Sequence, residues 1–355
     1  MSADSESGTP TRSTSGPPTA LTRRPTTEAA EEILGGYFPV LDHGFVSLID
    51  YLGSDESVER AARVSYGYGT RQTSATRGLI RYLRRHRHTT PSEMVEVVLH
   101  CSMPMFVARQ WIRHRTASVN EYSARYSLLP LLFYTPSSSE FGLQSSSNRQ
   151  GRADDAVSEE LYRESLDRWD RTRQQSSENY GWMIEEDVAR EIARIDLPLS
   201  TYTQWYWKTD LHNLLHFLTL RVDPHAQWEI QEYGRVIAGM VKRLAPVSYE
   251  AWIDYQVGGD VMSRSELDAL KLMVQPGAEG AGLQSGEKSM LDPDELKALG
   301  LSPREAREFV AKFEPKPVPE FDLDLSVMRT AEEVRIEMES AVPSASRGKA
   351  SDGHA

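Results

Sequence analysis

An acidic chain carries one dense basic island. Arg109, Arg113, Arg115, Arg125 and His114 fall within seventeen residues that contain a single acid, Glu121, although the formal net charge of the whole chain is -12. Guanidinium forks match phosphate oxygens two at a time, and a charge-assisted hydrogen bond contributes roughly 1.5–3 kcal/mol, so several arginines together suit an anion. The bland alternative is a solvated helix face. Against it, the island is interleaved with Trp111, Ile112, Asn120, Tyr122 and Tyr126, most of them side chains costly to leave in water and suited to lining a pocket. Ser123 has no visible Ser-His-Asp or Ser-Lys arrangement around it, which argues against a serine nucleophile. Cys101 is the sole cysteine, so disulfides and Cys-rich zinc sites are excluded and a reducing cytoplasm fits. The His86-Arg87-His88 run has no Cys or acidic partner at metal-ligand spacing, and no metal is expected.

The elements that position these residues follow from periodicity. SVERAARVSYG and TSATRGLIRYLRRH repeat apolar positions at helical spacing. Met94 to Cys101 alternates, with Val95, Val97, Leu99 and Cys101 on one side and Glu96, Val98 and His100 on the other, which predicts a strand ended by Pro104. MFVARQWIRHR then resumes helical spacing and predicts Gln110, Arg113 and His114 on one face. Tyr134 to Arg152 is long and polar, predicting either disorder or a functional loop. Helices are expected over 157–175 and around 185–195. After the aromatic stretch LSTYTQWYWKT come LHNLLHFLTLRVD and a helix with the stripe Ile230, Tyr233, Ile237 and Val241, closed by Pro246. Beyond Met273 the composition turns to linker, two short helices within LDPDELKALGLSPREAREFVAKF, and more linker.

At 355 residues the chain can bury a large core. Its acidity opposes a protein that coats nucleic acid or an anionic membrane, and no stretch approaches the eighteen apolar residues a membrane helix needs. Residues 1–36 read as a disordered tail, 37–260 as the catalytic domain, and 261–355 as a helical, linker-rich extension. On that reading residues 1–30 and 276–355 are dispensable.

RHRTASVNEYSARY, Arg113 to Tyr126, resembles the signature of flavin-dependent thymidylate synthases, in which Arg-His-Arg is followed after seven residues by Ser; Arg113, His114, Arg115 and Ser123 match its fixed positions. The resemblance takes in AARVS at Ala61, RHRHTTPSEM from Arg85, PMFVARQW, ARIDLPL at Ala193 and LHFLTLRVDPHAQWEIQEY from Leu215, and covers about residues 41–259. It implies an α+β fold with a twisted, mainly antiparallel sheet covered by helices, and a homotetramer with shared active sites. The implied activity is reductive methylation of dUMP to dTMP with 5,10-methylenetetrahydrofolate, on FAD reduced by NADPH.

Residue by residue, the resemblance implies that dUMP is held by Gln110, Trp111, Ile112, Arg113, Glu121, Tyr122, Ser123, Ala124, Arg125, Arg194 and Arg221. It implies that the flavin is contacted by Thr90, Arg113, His114, Arg115, Glu121, Asp210, Leu211, His212 and His216, with His88 over its ring. His212 and His216 are one helical turn apart and can face one ligand. Asp210 stands where many members carry Asn, and His212 where some carry Arg. Arg221 is the implied catalytic residue; with a pKa above 12 it cannot be an ordinary base and must stabilise the anion that forms on the pyrimidine. Its structural alternative is a salt bridge to Asp223 or Glu229. Two rivals remain: a thymidylate synthase of the other type with Cys101 as nucleophile, and a nucleic-acid-binding module built on the arginines at 81–87 and 109–115.

Overall fold

The computed structural model describes residues 24–64, 76–145, 151–276, 282–288 and 290–343, without the side chains of 154–156. Expectations for residues 1–23, and the stretches at 65–75 and 146–150, lie outside the described residues. Strands β1 (Tyr37–Val40), β2 (Gly44–Leu52), β3 (Glu96–Pro104), β4 (Ser118–Glu121) and, after a small hairpin of β5 (Gly142–Gln144) and β6 (Arg152–Ala156), β7 (Tyr202–Asp210) form the framework. Five of them make one antiparallel sheet in the order β1-β2-β3-β7-β4. Val97, Leu99 and Cys101 of β3 turn into the core, as the alternation predicts. The aromatic stretch is the partner strand: Trp207 and Trp205 lie opposite Leu99 and Cys101. On the other face Tyr206 stacks on His100 at 4.7 Å and stays exposed.

Helices cover the inner face. α1 (Glu28–Glu31), α2 (Asp55–Arg63), α3 (Thr76–Arg85), α4 (Thr90–Glu93) and α5 (Met105–Trp111) precede β4; α6 (Glu159–Glu185) and α7 (Arg190–Ala193) precede β7; α8 (Leu211–Arg221), α9 (Trp228–Leu244) and α10 (Pro246–Trp252) follow it. The α9 stripe Ile230, Tyr233, Ile237 and Val241 is buried throughout. Pro246 ends one helix by opening the next, since the first position of a helix needs no N–H donor. The Asp55 carboxylate supplies part of that cap, accepting from the N–H groups of Val247 at 2.7 Å and Ser248 at 2.9 Å.

One helix is shorter than its spacing predicts. α5 stops at Trp111 with Ile112 as its cap, and the His114 N–H bonds back to the Trp111 carbonyl at 3.0 Å. Arg113 and His114 therefore do not share a helix face with Gln110. The chain must turn there, because Trp111 is wholly buried while β4 has to start at Ser118 to pair with Lys208 of β7.

Both flanks are more involved in the core than their composition suggests. Residues 24–36 are not tail: Ala30 and Ile33 are fully buried, and the Arg24 guanidinium donates to the Tyr51 carbonyl at 2.8 Å. A helix of four residues is too short to show periodicity. The extension holds α11 (Arg264–Met273), a hairpin of β8 (Val274–Pro276) and β9 (Leu283–Ser285), α12 (Pro293–Ala298), α13 (Pro303–Ala311) and α14 (Ala331–Ser340). α11, α12, α13 and α14 each open on a capping box in which a Ser, Asp or Thr exchanges bonds with a Glu three residues on. α12 and α13 enclose a satellite core of Leu296, Leu301 and Phe309.

The segment after α13 is not a free linker. Phe321 is buried against Trp252 in the main core. Leu323 packs where the bare backbone of Gly239 admits it, and Met328 does the same at Gly36. Tyr37 and Arg329 exchange backbone hydrogen bonds at 2.9 and 2.8 Å. These contacts correct the expectation that everything after 276 is dispensable. Phe321→Ala should lower stability by about 3–5 kcal/mol, the usual cost of deleting a buried phenyl ring. Urea unfolding is the measurement; a loss below about 1 kcal/mol would show that the segment merely rests on the surface.

Candidate active site

The site grows from the end of α8 and the turn after α5. Arg221, in the last turn of α8, donates from Nε to His114 Nε2 at 3.0 Å and from Nη2 to the Gln110 carbonyl at 3.3 Å. Since an arginine nitrogen can only donate, His114 Nε2 must be bare and its proton must sit on Nδ1. Burial, the Arg221 charge and His216 together push the His114 pKa down to about 4, so the ring is neutral near pH 7. Arg221 is half-buried; burial and then the neighbouring Arg113 charge lower its pKa, but not enough to discharge it.

No acid answers this charge among the described residues. The alternative partners of Arg221 are engaged elsewhere: Glu229 is ion-paired to Arg152, and Asp223 lies 2.9 Å from His225. Arg109, Arg113 and Arg115 are exposed and likewise form no ion pair with a described residue. A cationic cluster held by a neutral imidazole and a carbonyl has the chemistry to receive an anion.

The other sequence candidates divide. Glu121 on β4 accepts from Thr203 Oγ1 at 2.7 Å, and the Tyr122 hydroxyl donates to the Leu128 carbonyl at 2.7 Å. Ser123 Oγ accepts the Arg125 N–H at 3.4 Å, and no described His or Lys reaches it. Arg125 pairs with exposed Glu191 at 3.0 Å, beside the turn that carries Arg194. Within one chain, no hydrogen bond or ion pair among the described residues joins Arg125 or Arg194 to the Arg221 cluster. Ile112 is exposed, whereas Trp111, Ala124 and Leu211 turn their side chains into the core and could offer a ligand only backbone.

A second group gathers at the start of α8. Asp210 caps it, accepting from the Asn213 N–H at 2.9 Å and from Asn213 Nδ2 at 2.7 Å. His212 Nδ1 is buried without a hydrogen-bond partner. Leu211, His212 and His216 follow along the helix, with the His216 ring 6.0 Å from His114, so α8 spans both groups. α4, opening at Thr90, packs against α8. His88 is exposed, 6.0 Å from the Tyr82 ring.

One feature escapes the sequence patterns. Arg84 of α3 is largely buried, and its Nε and Nη2 have no partner; nothing in a Leu-Arg-Arg helix end distinguishes it from its solvated neighbours. In the polar stretch that the sequence marks as disorder or a functional loop, Tyr134, Phe141 and Arg152 help to line a cleft of about 450 Å³ with Phe106, Trp169, Arg173 and Glu229. Its polar groups are satisfied internally: the Tyr134 hydroxyl donates to Glu229 at 3.2 Å, and Arg173 donates to the Tyr134 carbonyl at 2.6 Å.

Cys101 is fully buried and burial drives its thiol pKa well above the ordinary value, so it has no thiolate to offer a substrate. Among the described residues no three His, Cys, Asp or Glu side chains converge on a metal position, and no helix is long and apolar enough to cross a membrane.

The family model described as "Thymidylate synthase complementing protein" matches residues 47–247. A flavin-dependent thymidylate synthase of Gluconobacter oxydans is 50% identical over 254 residues, covering 71% of this chain and 84% of that protein. One of Ruegeria pomeroyi is 46% identical over 295 residues, covering 82% and 92%. Among solved structures, a UMP/dUMP methylase PolB from Streptomyces cacaoi, bound with 5-Br UMP, superposes with a TM-score of 0.56 at 32% identity, covering 62% of this chain and 98% of that one. With the family model matching residues 47–247 and half of the 254 aligned residues shared with such a relative, this chain belongs to the flavin-dependent thymidylate synthase family.

Proposed function

We propose that the chain converts dUMP to dTMP, with 5,10-methylenetetrahydrofolate as carbon donor and FAD reduced by NADPH. One observation carries the reading: half-buried Arg221 and exposed Arg113 beside it form a positive cluster that no described carboxylate neutralises. A nucleotide monophosphate whose pyrimidine becomes anionic supplies the missing charge at both ends. The neutral His114 fixes the direction of the Arg221 fork without competing for that anion. Gln110, Arg113, Glu121, Tyr122, Ser123, Arg125, Arg194 and Arg221 are assigned to dUMP, with Trp111, Ile112 and Ala124 contributing through backbone or shape.

The residues around α8 suit a flavin: His212 Nδ1, which has no partner among the described residues, lies on the helix that α4 packs against and is the kind of orphan that a cofactor satisfies. Thr90, Arg113, His114, Arg115, Glu121, Asp210, Leu211, His212 and His216 would hold it. When bound, FAD supplies the electron transfer that turns the donated carbon into a methyl group. The chain's own part is to bind, orient and stabilise charge. A homotetramer with shared sites is supported by the separation of Arg125 and Arg194 from Arg221, which a second chain could close, and by the exposed Tyr206 face of the sheet. We assign catalysis to residues 37–260 and a cytoplasmic location to a protein whose one thiol is buried and reduced.

The deciding assay is dTMP formation by FAD-reconstituted protein with dUMP, methylenetetrahydrofolate and NADPH. Arg221→Ala should lose at least about 100-fold in turnover while retaining flavin; a variant that sheds flavin yet turns over when FAD is resupplied contradicts the role. Cys101→Ser should cost about 1–3 kcal/mol of stability and leave turnover near wild type, and a folded, inactive variant would restore the cysteine chemistry.

Protonation gives an independent check. Because the folded His114 pKa is depressed below the unfolded value near 6.5, its contribution to stability is fully present above that pH and is lost as pH falls toward 4. Wild-type stability should therefore decline across that window more steeply than that of His114→Gln. Parallel slopes in urea titrations would show that His114 protonates normally.

A further inference from the structure

Arg84 is a largely desolvated cation whose buried edge meets no partner among the described residues. Its Nε and Nη2 are buried and have no hydrogen-bond partner, and no described carboxylate forms an ion pair with it. Those two nitrogens form one edge of the guanidinium, the side-on fork that takes two oxygens of a single phosphoryl or carboxyl group. Burial lowers the Arg84 pKa to about 10, so the charge persists at neutral pH.

The surroundings narrow the choice of anion. On α8 His212 feels this charge: its own pKa is lowered by burial and then by Arg84, and its Nδ1 is also buried without a partner among the described residues. Two elements far apart in sequence thus bring two side chains with buried nitrogens, unpartnered among the described residues, within electrostatic reach of each other. Of the acids near His212, Asp210 is committed to Asn213, and Glu93 lies on α4 outside ion-pairing range of Arg84. Arg84 as a residue keeps partial exposure while its two fork nitrogens are covered, so a phosphoryl group reaches them only where a neighbouring side chain shifts. The adjoining stretch of chain, with Leu83, His88 and Thr90, walls a cavity of about 720 Å³.

We propose that Arg84, acting with His212, binds a phosphoryl group of the flavin adenine dinucleotide. This rests on the flavin reading given above and adds to it a residue from α3, outside the arginine signature. Arg84 is a cofactor-binding residue here and takes no part in the chemistry at the pyrimidine.

The test uses apoprotein titrated with FAD and, separately, with riboflavin, which has the ring system but no phosphate. Arg84→Met should raise the FAD dissociation constant about 10- to 100-fold and leave riboflavin affinity unchanged within threefold. Arg84→Lys, which keeps the charge and loses the fork, should fall between wild type and Met. Inorganic pyrophosphate should compete with FAD on wild type and lose that effect on Arg84→Met. Equal FAD affinity in wild type and both variants overturns the assignment. So does a change in assembly mass with FAD affinity intact, because the fork would then face another subunit. Wild-type protein that binds neither flavin overturns the flavin reading itself, a result distinct from either.

Discussion

The position of Trp111 governs the site. Its indole is fully buried, stacked on Phe217 of α8 at 4.8 Å and met edge-on by Trp205 and Trp207 of β7 and by Tyr233 of α9. One side chain therefore fixes the end of α5 against the sheet and against both central helices. Four residues separate consecutive turns of α8, so holding Phe217 on the Trp111 side places Arg221 one turn further along the same side, where the chain leaving α5 presents Gln110 and His114. Aromatic pairs of this kind contribute about 0.5–1.5 kcal/mol each beyond the area they bury. The larger effect is geometric: the fork of Arg221 is aimed by aromatic side chains that lie wholly within the core.

Charge is handled differently at the site and at the periphery. On exposed helices arginines are paired at short range, as in Arg168 with Glu164 and Arg304 with Glu308, contacts that contribute little. Around α8 the acids have been drawn away: Glu229 is turned to Arg152 and Tyr134, and Asp210 to the helix cap. The cationic groups that remain are expensive in the absence of an anion, and that expense is what makes an anion bind. Preorganised charge is worth more in a partly desolvated site than in water.

Much of this was legible in the residues. The β3 alternation, the α9 stripe and the density of arginine between Arg109 and Arg125 were visible because each is a local regularity. The end of α5 was not, because the pattern through Arg115 remains helical and only the pairing of Ser118 with Lys208, ninety residues away in sequence, forces the turn. β1 and β2 escaped for a related reason: β2 is buried along most of its length and does not alternate cleanly. Arg84 could not be distinguished from Arg81 and Arg85 by type or spacing. Arg81 reaches Glu250 and Asp254, whereas the Nε and Nη2 of Arg84 are buried, and that difference arises only once α3 is packed against α10 and α2.

The contact of Phe321 with Trp252 carries a cost in time. Sixty-nine residues separate the two along the chain, and at ~5–20 residues per second a ribosome takes roughly 3–14 s to make that stretch. Throughout that interval the indole of Trp252 and the ring of Tyr249, whose hydroxyl later accepts the Phe321 N–H at 3.0 Å, belong to a nascent domain with an uncovered apolar flank. The period of greatest exposure to chaperones, and to other nascent chains, is thus set by how late Phe321 is translated.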